Sequence, residues 1–295
     1  MSRDALLEGA AALAFVTAPR CCTANPGNGR TCLYIHRLWP TLRMMGLAMS
    51  AELHRDFFMR ALGAEFLRRE GASRVLVSGA SDHALPAIVF DAARAVGRPV
   101  SVTVVDRCDT PLAVNRWYAS RENANLDTVQ SDILAYEDPA GFDVICTHSF
   151  LSFFTAEQRD ALAAKWMRLL RPGGAAITVN RLRQDGARST GFSAEDGARY
   201  AAEVQRRASG MQHRMPAAAE EIARLAAEQA AMPGGAQAIR SEQEFRAIFE
   251  RAGYDFDEFI CQPLPAPAQT EIWGLGIPSN APYVQIIARK PATLR

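Results

Sequence analysis

Apolar positions along the chain alternate between helical and strand spacing, and each change marks a different part of the architecture. From residue 1 to about 71 the spacing is helical: Leu53, Phe57 and Ala61 recur at i, i+4, with Phe58, Leu62 and Phe66 one row over. Ser50 is placed to cap that helix and Gly71 to end it. Upstream, Ala24-Asn25-Pro26-Gly27-Asn28-Gly29 has the chemistry of a loop, and Tyr34 to Met49 reads as a helix broken near Pro40. Residues 1–71 are therefore expected to form an N-terminal helical appendage.

From Arg74 onward, short β-branched runs alternate with helical segments, the pattern of βα units around a mostly parallel sheet covered on both faces. Strands are predicted at 74–78, 100–105, 126–130, 142–147 and 175–179. Helices lie between them: Ala84 to Val96 closed by Gly97, one opening at Thr110-Pro111, and one opening at Thr155 with Gln158 as its capping-box partner. The last of these is expected to end at Arg171-Pro172-Gly173-Gly174.

Residues 181–239 interrupt the alternation with Ala-, Glu- and Arg-rich helical sequence, Ala194 to Ala208 and Pro216 to Ala231, bounded by Pro233-Gly234-Gly235. This is read as an insertion. Ser241 and Glu244 form a second capping box for a helix to Ala252, and Tyr254 to Gln262 and Tyr283 to Lys290 follow as two strands in succession. Two consecutive strands imply an antiparallel hairpin at the sheet edge. The expected fold is α/β, a Rossmann-like and mostly parallel seven-stranded sheet with an antiparallel edge hairpin. Its core spans 72–180 and 240–295, the helical appendage precedes it, and the helical insertion 181–239 covers the substrate site.

Composition narrows the function. The net charge of +1 over 295 residues offers no field to gather nucleic acid or an anionic bilayer. The apolar stretch Gly9 to Ala18 is far short of the roughly 20 residues that span a bilayer, and Asp4 and Glu8 oppose a signal peptide. A cytoplasmic protein is expected, and a reducing compartment would keep its six Cys as thiols. Cys108, Cys146 and Cys261 sit in apolar or strand-like context. Cys21, Cys22, Cys32 and His36 are closer together, but their spacing matches no zinc pattern, so a Cys-containing loop is the reading and no metal is expected.

In an open α/β sheet ligands bind beyond the carboxyl ends of the strands, so the residues just after each strand carry the information. They are Ser78-Gly79-Ala80-Ser81-Asp82-His83, then Asp106-Arg107, Ser131-Asp132-Ile133, Thr147-His148-Ser149-Phe150 and Asn180-Arg181. Asp106 is suited to the two hydroxyls of a ribose and Asp132-Ile133 to an adenine edge.

With these segments in this order the chain resembles the class I S-adenosylmethionine-dependent methyltransferases over about 72–180 and 241–290. The matching segments are Val75 to Ser81, Val102 to Asp106, Ser131 to Leu134, and Phe142 to Ile145 followed by Leu169-Leu170-Arg171-Pro172-Gly173-Gly174. The resemblance implies S-adenosylmethionine as cofactor, with Asp106 on the ribose, Asp132 on the adenine amino group and the Ile133 backbone on the adenine ring. Ser78, Gly79, Ala80, Asp82, Arg107, Thr147 and His148 complete the implied cofactor site. The family's first motif usually carries an acid where this chain has Val77, and further glycines where it has Ser81 and His83, so the methionine end departs from the pattern.

Methyl transfer requires alignment and exclusion of water, so a lid is expected. Tyr34, Trp39, Arg181 and Tyr200 are candidates to border the acceptor, with Met44 or Met45, Met211 and His213 nearby in sequence. His148 and His36 are the candidate bases by location. The near-zero charge favours a small-molecule acceptor in specialised metabolism, with a homodimer as one arrangement. A nicotinamide oxidoreductase conflicts with the glycine spacing after Gly79. A non-catalytic S-adenosylmethionine-binding protein remains open, as does an enzyme that cyclises S-adenosylmethionine itself and releases methylthioadenosine.

Overall fold

A computed structural model describes residues 2–23, 31–183, 192–232, 237–263 and 282–292. Seven strands form one sheet: β1 (Ser73–Ser78), β2 (Val100–Asp106), β3 (Leu126–Gln130), β4 (Phe142–His148), β5 (Leu170–Arg181), β6 (Asp255–Pro263) and β7 (Pro282–Arg289). Their order is β3-β2-β1-β4-β5-β7-β6. The first five run parallel, while β7 is antiparallel to both β5 and β6, so the expected edge hairpin is present with β7 as its inner strand. The connection reverses direction between β1 and β4, which sets the ligand crevice at the carboxyl ends of β1, β2 and β4.

The strands form where β-branched residues recur, and the central ones are buried on both faces: Val75, Leu76, Val77, Val144, Ile145 and Ile177 are fully enclosed. Helices α4 (Ala84–Ala95) and α5 (Asp109–Glu122) cover one face, and α6 (Ala156–Leu169) and α9 (Glu242–Arg251) the other. The predicted capping box of α6 is complete: the Gln158 N–H donates to Thr155 Oγ1 at 3.3 Å and the Thr155 N–H to Gln158 Oε1 at 3.0 Å. At α9 only half forms. Ser241 receives the Glu244 N–H, but the Glu244 carboxylate turns to the Arg240 N–H and the Arg159 guanidinium.

Three sequence expectations are corrected here. Ser50 makes no side-chain cap; a 3-10 turn, Ala51–His54, intervenes before α3 (Arg55–Leu67), closed by the Leu53 N–H on the Ser50 carbonyl. Helix α2 (Leu33–Met44) runs through Pro40 unbroken. A proline inside a helix costs about 3 kcal/mol, and the burial of Leu38 and Leu42 on either side of it offsets that loss. Helix α6 ends at Leu169, and Arg171 to Gly174 lie inside β5, where the ladder with β4 slips between Phe142 and Val144. The loop expected at 24–29 and the boundary Pro233-Gly234-Gly235 lie outside the described residues.

Helix α1 (Arg3–Cys21) lies on α5, where Gly9 admits the Trp117 ring: a Cβ there would stand 2.3 Å from it. Helices α7 (Ala194–Gly210) and α8 (Ala219–Ala231) pack against α2, and Leu38 and Leu42 share one apolar core with Tyr200, Val204, Ile222 and Leu225. Arg207 donates to the Met45 carbonyl at 2.6 Å and Arg37 pairs with Glu221 at 3.2 Å, which adds polar ties at the rim of that core. No helix among the described residues is long and apolar enough to cross a membrane.

Candidate active site

The carboxyl end of β1 turns sharply at Gly79, whose φ of +75° suits a residue without Cβ. The turn is held by the Gly79 N–H on the Val105 carbonyl at 2.9 Å. The Phe150 ring lies directly over Gly79, 2.3 Å from where a Cβ would project. Phe150 follows β4 and Ser149, itself at φ +52°, so the end of β4 is bent to lay an aromatic face on the β1 turn.

Asp106 ends β2 and is fixed from two sides. Its carboxylate accepts the Ala80 N–H at 3.0 Å and the Cys108 N–H at 2.8 Å. Burial pushes its carboxyl above the ordinary range, against the opposing pull of the His36 imidazole and those two amides. Each oxygen keeps a further lone pair for a ligand hydroxyl. Asp132, after β3, accepts the Leu134 N–H at 2.9 Å in its own turn, and Arg107 stands 3.9 Å away on the open side. Together Asp106, Arg107, Asp132, Ile133 and Phe150 border a cavity of about 290 Å³. Phe153, Phe154 and Gln158 close its far wall.

On the other side of Phe150 a smaller cavity of about 40 Å³ is bordered by Gly79, Ala80, Asp82, His148, Trp39 and Ser50. Asp82 is buried and spoken for: Arg43 Nη1 lies 2.6 Å from one carboxylate oxygen, and the other accepts the Ala84 N–H at 2.8 Å at the start of α4. Burial alone would raise its carboxyl, but Arg43 and the neighbouring imidazole outweigh that and hold it below the ordinary value. His148 and His54 face each other with ring centroids 5.3 Å apart, and the Nε2 atom of each is buried without a hydrogen-bond partner. Burial, with His54 adding repulsion, pushes the His148 imidazole well below its usual value, so it is neutral. Burial takes His54 down to about 4.

The structure brings together Asp106, Arg107, Asp132 and Ile133, with Gly79, Ala80, Trp39, Asp82 and His148 around the adjoining cavity. Ser78 and Thr147 serve the sheet: the Ser78 hydroxyl accepts the Trp166 indole N–H, and the Thr147 hydroxyl donates to the Ser78 carbonyl. Arg181, at the end of β5, borders neither cavity. Three expectations are corrected. Tyr200 does not face a substrate site; it is wholly buried between α7 and α8, stacked on Phe192. Tyr34 packs on the same helical core. His36 borders neither cavity; its Nδ1 lies 3.5 Å from Cys22 Sγ, in a group with Cys32 and Cys108 beside Asp106. Sequence reasoning placed Phe150 just after β4 and Ser50 at a helix start without giving either a role in the site, and it left out His54.

A family described as a methyltransferase domain matches residues 87–174. Among solved structures the chain is similar to a 1,6-didemethyltoxoflavin-N1-methyltransferase of Burkholderia thailandensis, at 16% identity and TM-score 0.50, over 79% of this chain and 78% of that one. It is similar to the [4+2]-cyclase SpnF at 13% identity and TM-score 0.51, over 80% of each. The mitomycin 7-O-methyltransferase MmcR gives 16% identity and TM-score 0.50, over 86% of this chain and 57% of that one. At these identities the likeness establishes the fold. No curated protein matches the sequence.

Proposed function

We propose that the chain is a class I S-adenosylmethionine-dependent methyltransferase that methylates an oxygen or nitrogen of a small molecule of specialised metabolism, a reading supported by the methyltransferase-domain match over residues 87–174. The observation that carries this reading is the cavity at the crevice of the sheet, which brings Asp106 and the Asp132-Ile133 turn to one wall. The residues fit the nucleoside half of S-adenosylmethionine: Asp106 would take the ribose hydroxyls, Asp132 and the Ile133 backbone the adenine edge, and Phe150 an aromatic face. Gly79 supplies the approach that a Cβ would deny, and Phe150 has to swing from it for a ligand to run from one cavity to the other. The bound cofactor supplies a methyl group already activated on a sulfonium.

The chain's own contribution is then alignment, exclusion of water and proton handling. Trp39 and the turn at Ser50 close the smaller cavity, with α7 and α8 backing α2 from outside. Neutral His148 presents a buried Nε2 able to accept a hydrogen bond from an acceptor hydroxyl or amine and to take its proton as the methyl arrives. The N1- and 7-O-methyltransferases of the same fold support a nitrogen or oxygen acceptor by analogy.

A second reading, in which S-adenosylmethionine is itself cyclised, is favoured by one observation. Asp82, which lines the smaller cavity, is already paired with Arg43, so it does not hold an ammonium group in charged form. Incubation with S-adenosylmethionine, with and without a panel of phenols, amines and heteroaromatic acceptors, separates the two. S-adenosylhomocysteine formed only with an acceptor supports transfer; methylthioadenosine formed without one replaces it with the second reading.

A further inference from the structure

Four ligand-bearing side chains from three separate helices converge beside the cofactor crevice. Cys22 caps the end of α1, Cys32 precedes the first turn of α2, His36 lies one turn on, and Cys108 precedes the first turn of α5. Their three sulfurs and one imidazole nitrogen all lie within 4.8 Å of one another. Cys22 Sγ is 3.4 Å from Cys108 Sγ and 3.5 Å from His36 Nδ1. A tetrahedral zinc site with bonds of about 2.3 Å to sulfur has sulfur–sulfur edges of about 3.8 Å, close to these separations. We propose that Cys22, Cys32, His36 and Cys108 form a structural zinc site that clamps the N-terminal helices to the catalytic core.

The chemistry agrees with the geometry. Three thiolates and an imidazole make a closed four-ligand set, the composition of structural rather than catalytic zinc, and soft thiolates exclude magnesium and calcium. On binding, each thiol releases its proton to solvent as its zinc–sulfur bond forms, and no oxidant is required. The site then carries one net negative charge, and the starts of α2 and α5, with their positive dipole ends, both meet it. The Thr110 hydroxyl, 3.3 Å from Cys22 Sγ, supplies an outer donor. A consequence reaches the cofactor: the Cys108 N–H holds Asp106, so the ligand that anchors α1 and α2 also orients the residue assigned to the ribose. That consequence rests on the function proposed above, whereas the zinc site does not.

The test is metal analysis of the purified full chain grown with zinc. The proposal predicts equimolar zinc retained through dialysis, with Cys22→Ser, Cys32→Ser, Cys108→Ser and His36→Ala each lowering zinc affinity by at least about tenfold. Cys21→Ser, adjacent in sequence, and Cys146→Ser, buried in β4, should keep the full complement. Because a ligand variant can fail to fold, cobalt titration of zinc-stripped wild-type protein serves as an independent readout. Thiolate-to-cobalt charge transfer with the intense visible bands of tetrahedral coordination supports the site; weak octahedral bands overturn it. Wild-type protein that holds no zinc and takes up none, or a disulfide between Cys22 and Cys108 in peptide maps, also overturns it. Weak S-adenosylhomocysteine binding by zinc-loaded protein would count against the functional reading and leave the metal site standing.

Discussion

Arg43 of α2 places its guanidinium 2.6 Å from the buried carboxylate of Asp82, so a side chain from the N-terminal helices neutralises the acid that opens α4. Both side chains are nearly inaccessible, and removing one partner from such a pair leaves a charge without compensation. Arg43→Ala should cost about 3–5 kcal/mol in chemical unfolding. Adding Asp82→Asn should recover part of it, because the amide oxygen can still accept the Ala84 N–H.

The same pair fixes a pH dependence. The folded Asp82 carboxyl titrates below its ordinary value of 3.8, so its contribution is full above that value and is lost as pH falls through the lower folded one. In Arg43→Ala the sign reverses, since burial alone raises the carboxyl and protonation then relieves the strain. Unfolding midpoints measured across acidic pH should show the two opposite slopes; parallel slopes would remove Arg43 from the account.

Three buried imidazoles act in another window. Burial lowers His54 and His83 to about 4 and pushes His148 well below its usual value, so the folded state binds fewer protons than the unfolded chain once pH drops below about 6.5. Stability should decline from there downward, each group contributing about 1.4 kcal/mol per pH unit until its folded value is reached. His83→Gln, which removes an imidazole whose Nδ1 is buried without a hydrogen-bond partner, should flatten the slope when urea unfolding is followed between neutral and mildly acid pH. An unchanged slope would mean that His83 is protonated in the folded protein.

Tyr200 tests the shared core of the appendage and the insertion. The ring is fully enclosed among residues of α7, α8 and α2, so Tyr200→Ala should cost about 3–5 kcal/mol while Tyr200→Phe costs little, its hydroxyl reaching only Gln229 at 3.4 Å. Thermal unfolding measures both. Near-equal melting of Tyr200→Ala and wild type would separate the two helical elements.

What could be read from the sequence was local. The strands follow from β-branched runs, the α6 cap from Thr155 and Gln158, and Asp106 and Asp132 from their offsets after β2 and β3. What could not be read was long-range. Cys108 joins Cys22 across 86 residues, so no spacing pattern near Cys32 and His36 could complete their group. Arg43 reaches Asp82 across 39 residues, and nothing in α7 announces that the partner of its apolar face is α2. Pro40 misled for the same reason: packing by Leu38 and Leu42, invisible locally, outweighs its propensity.

The central claim is that the cavity between Asp106 and Asp132 receives the nucleoside of S-adenosylmethionine. Calorimetric titration of S-adenosylhomocysteine into wild type and Asp106→Asn tests it most directly. Hydrogen bonds to a charged acceptor contribute about 1.5–3 kcal/mol each, so the variant should bind at least about tenfold more weakly. Its amide keeps one acceptor oxygen for the Ala80 and Cys108 N–H groups, so its melting should fall while it stays folded at the temperature of the titration. Equal affinity in the two proteins, or wild type that binds NAD and ignores S-adenosylhomocysteine, would contradict the account.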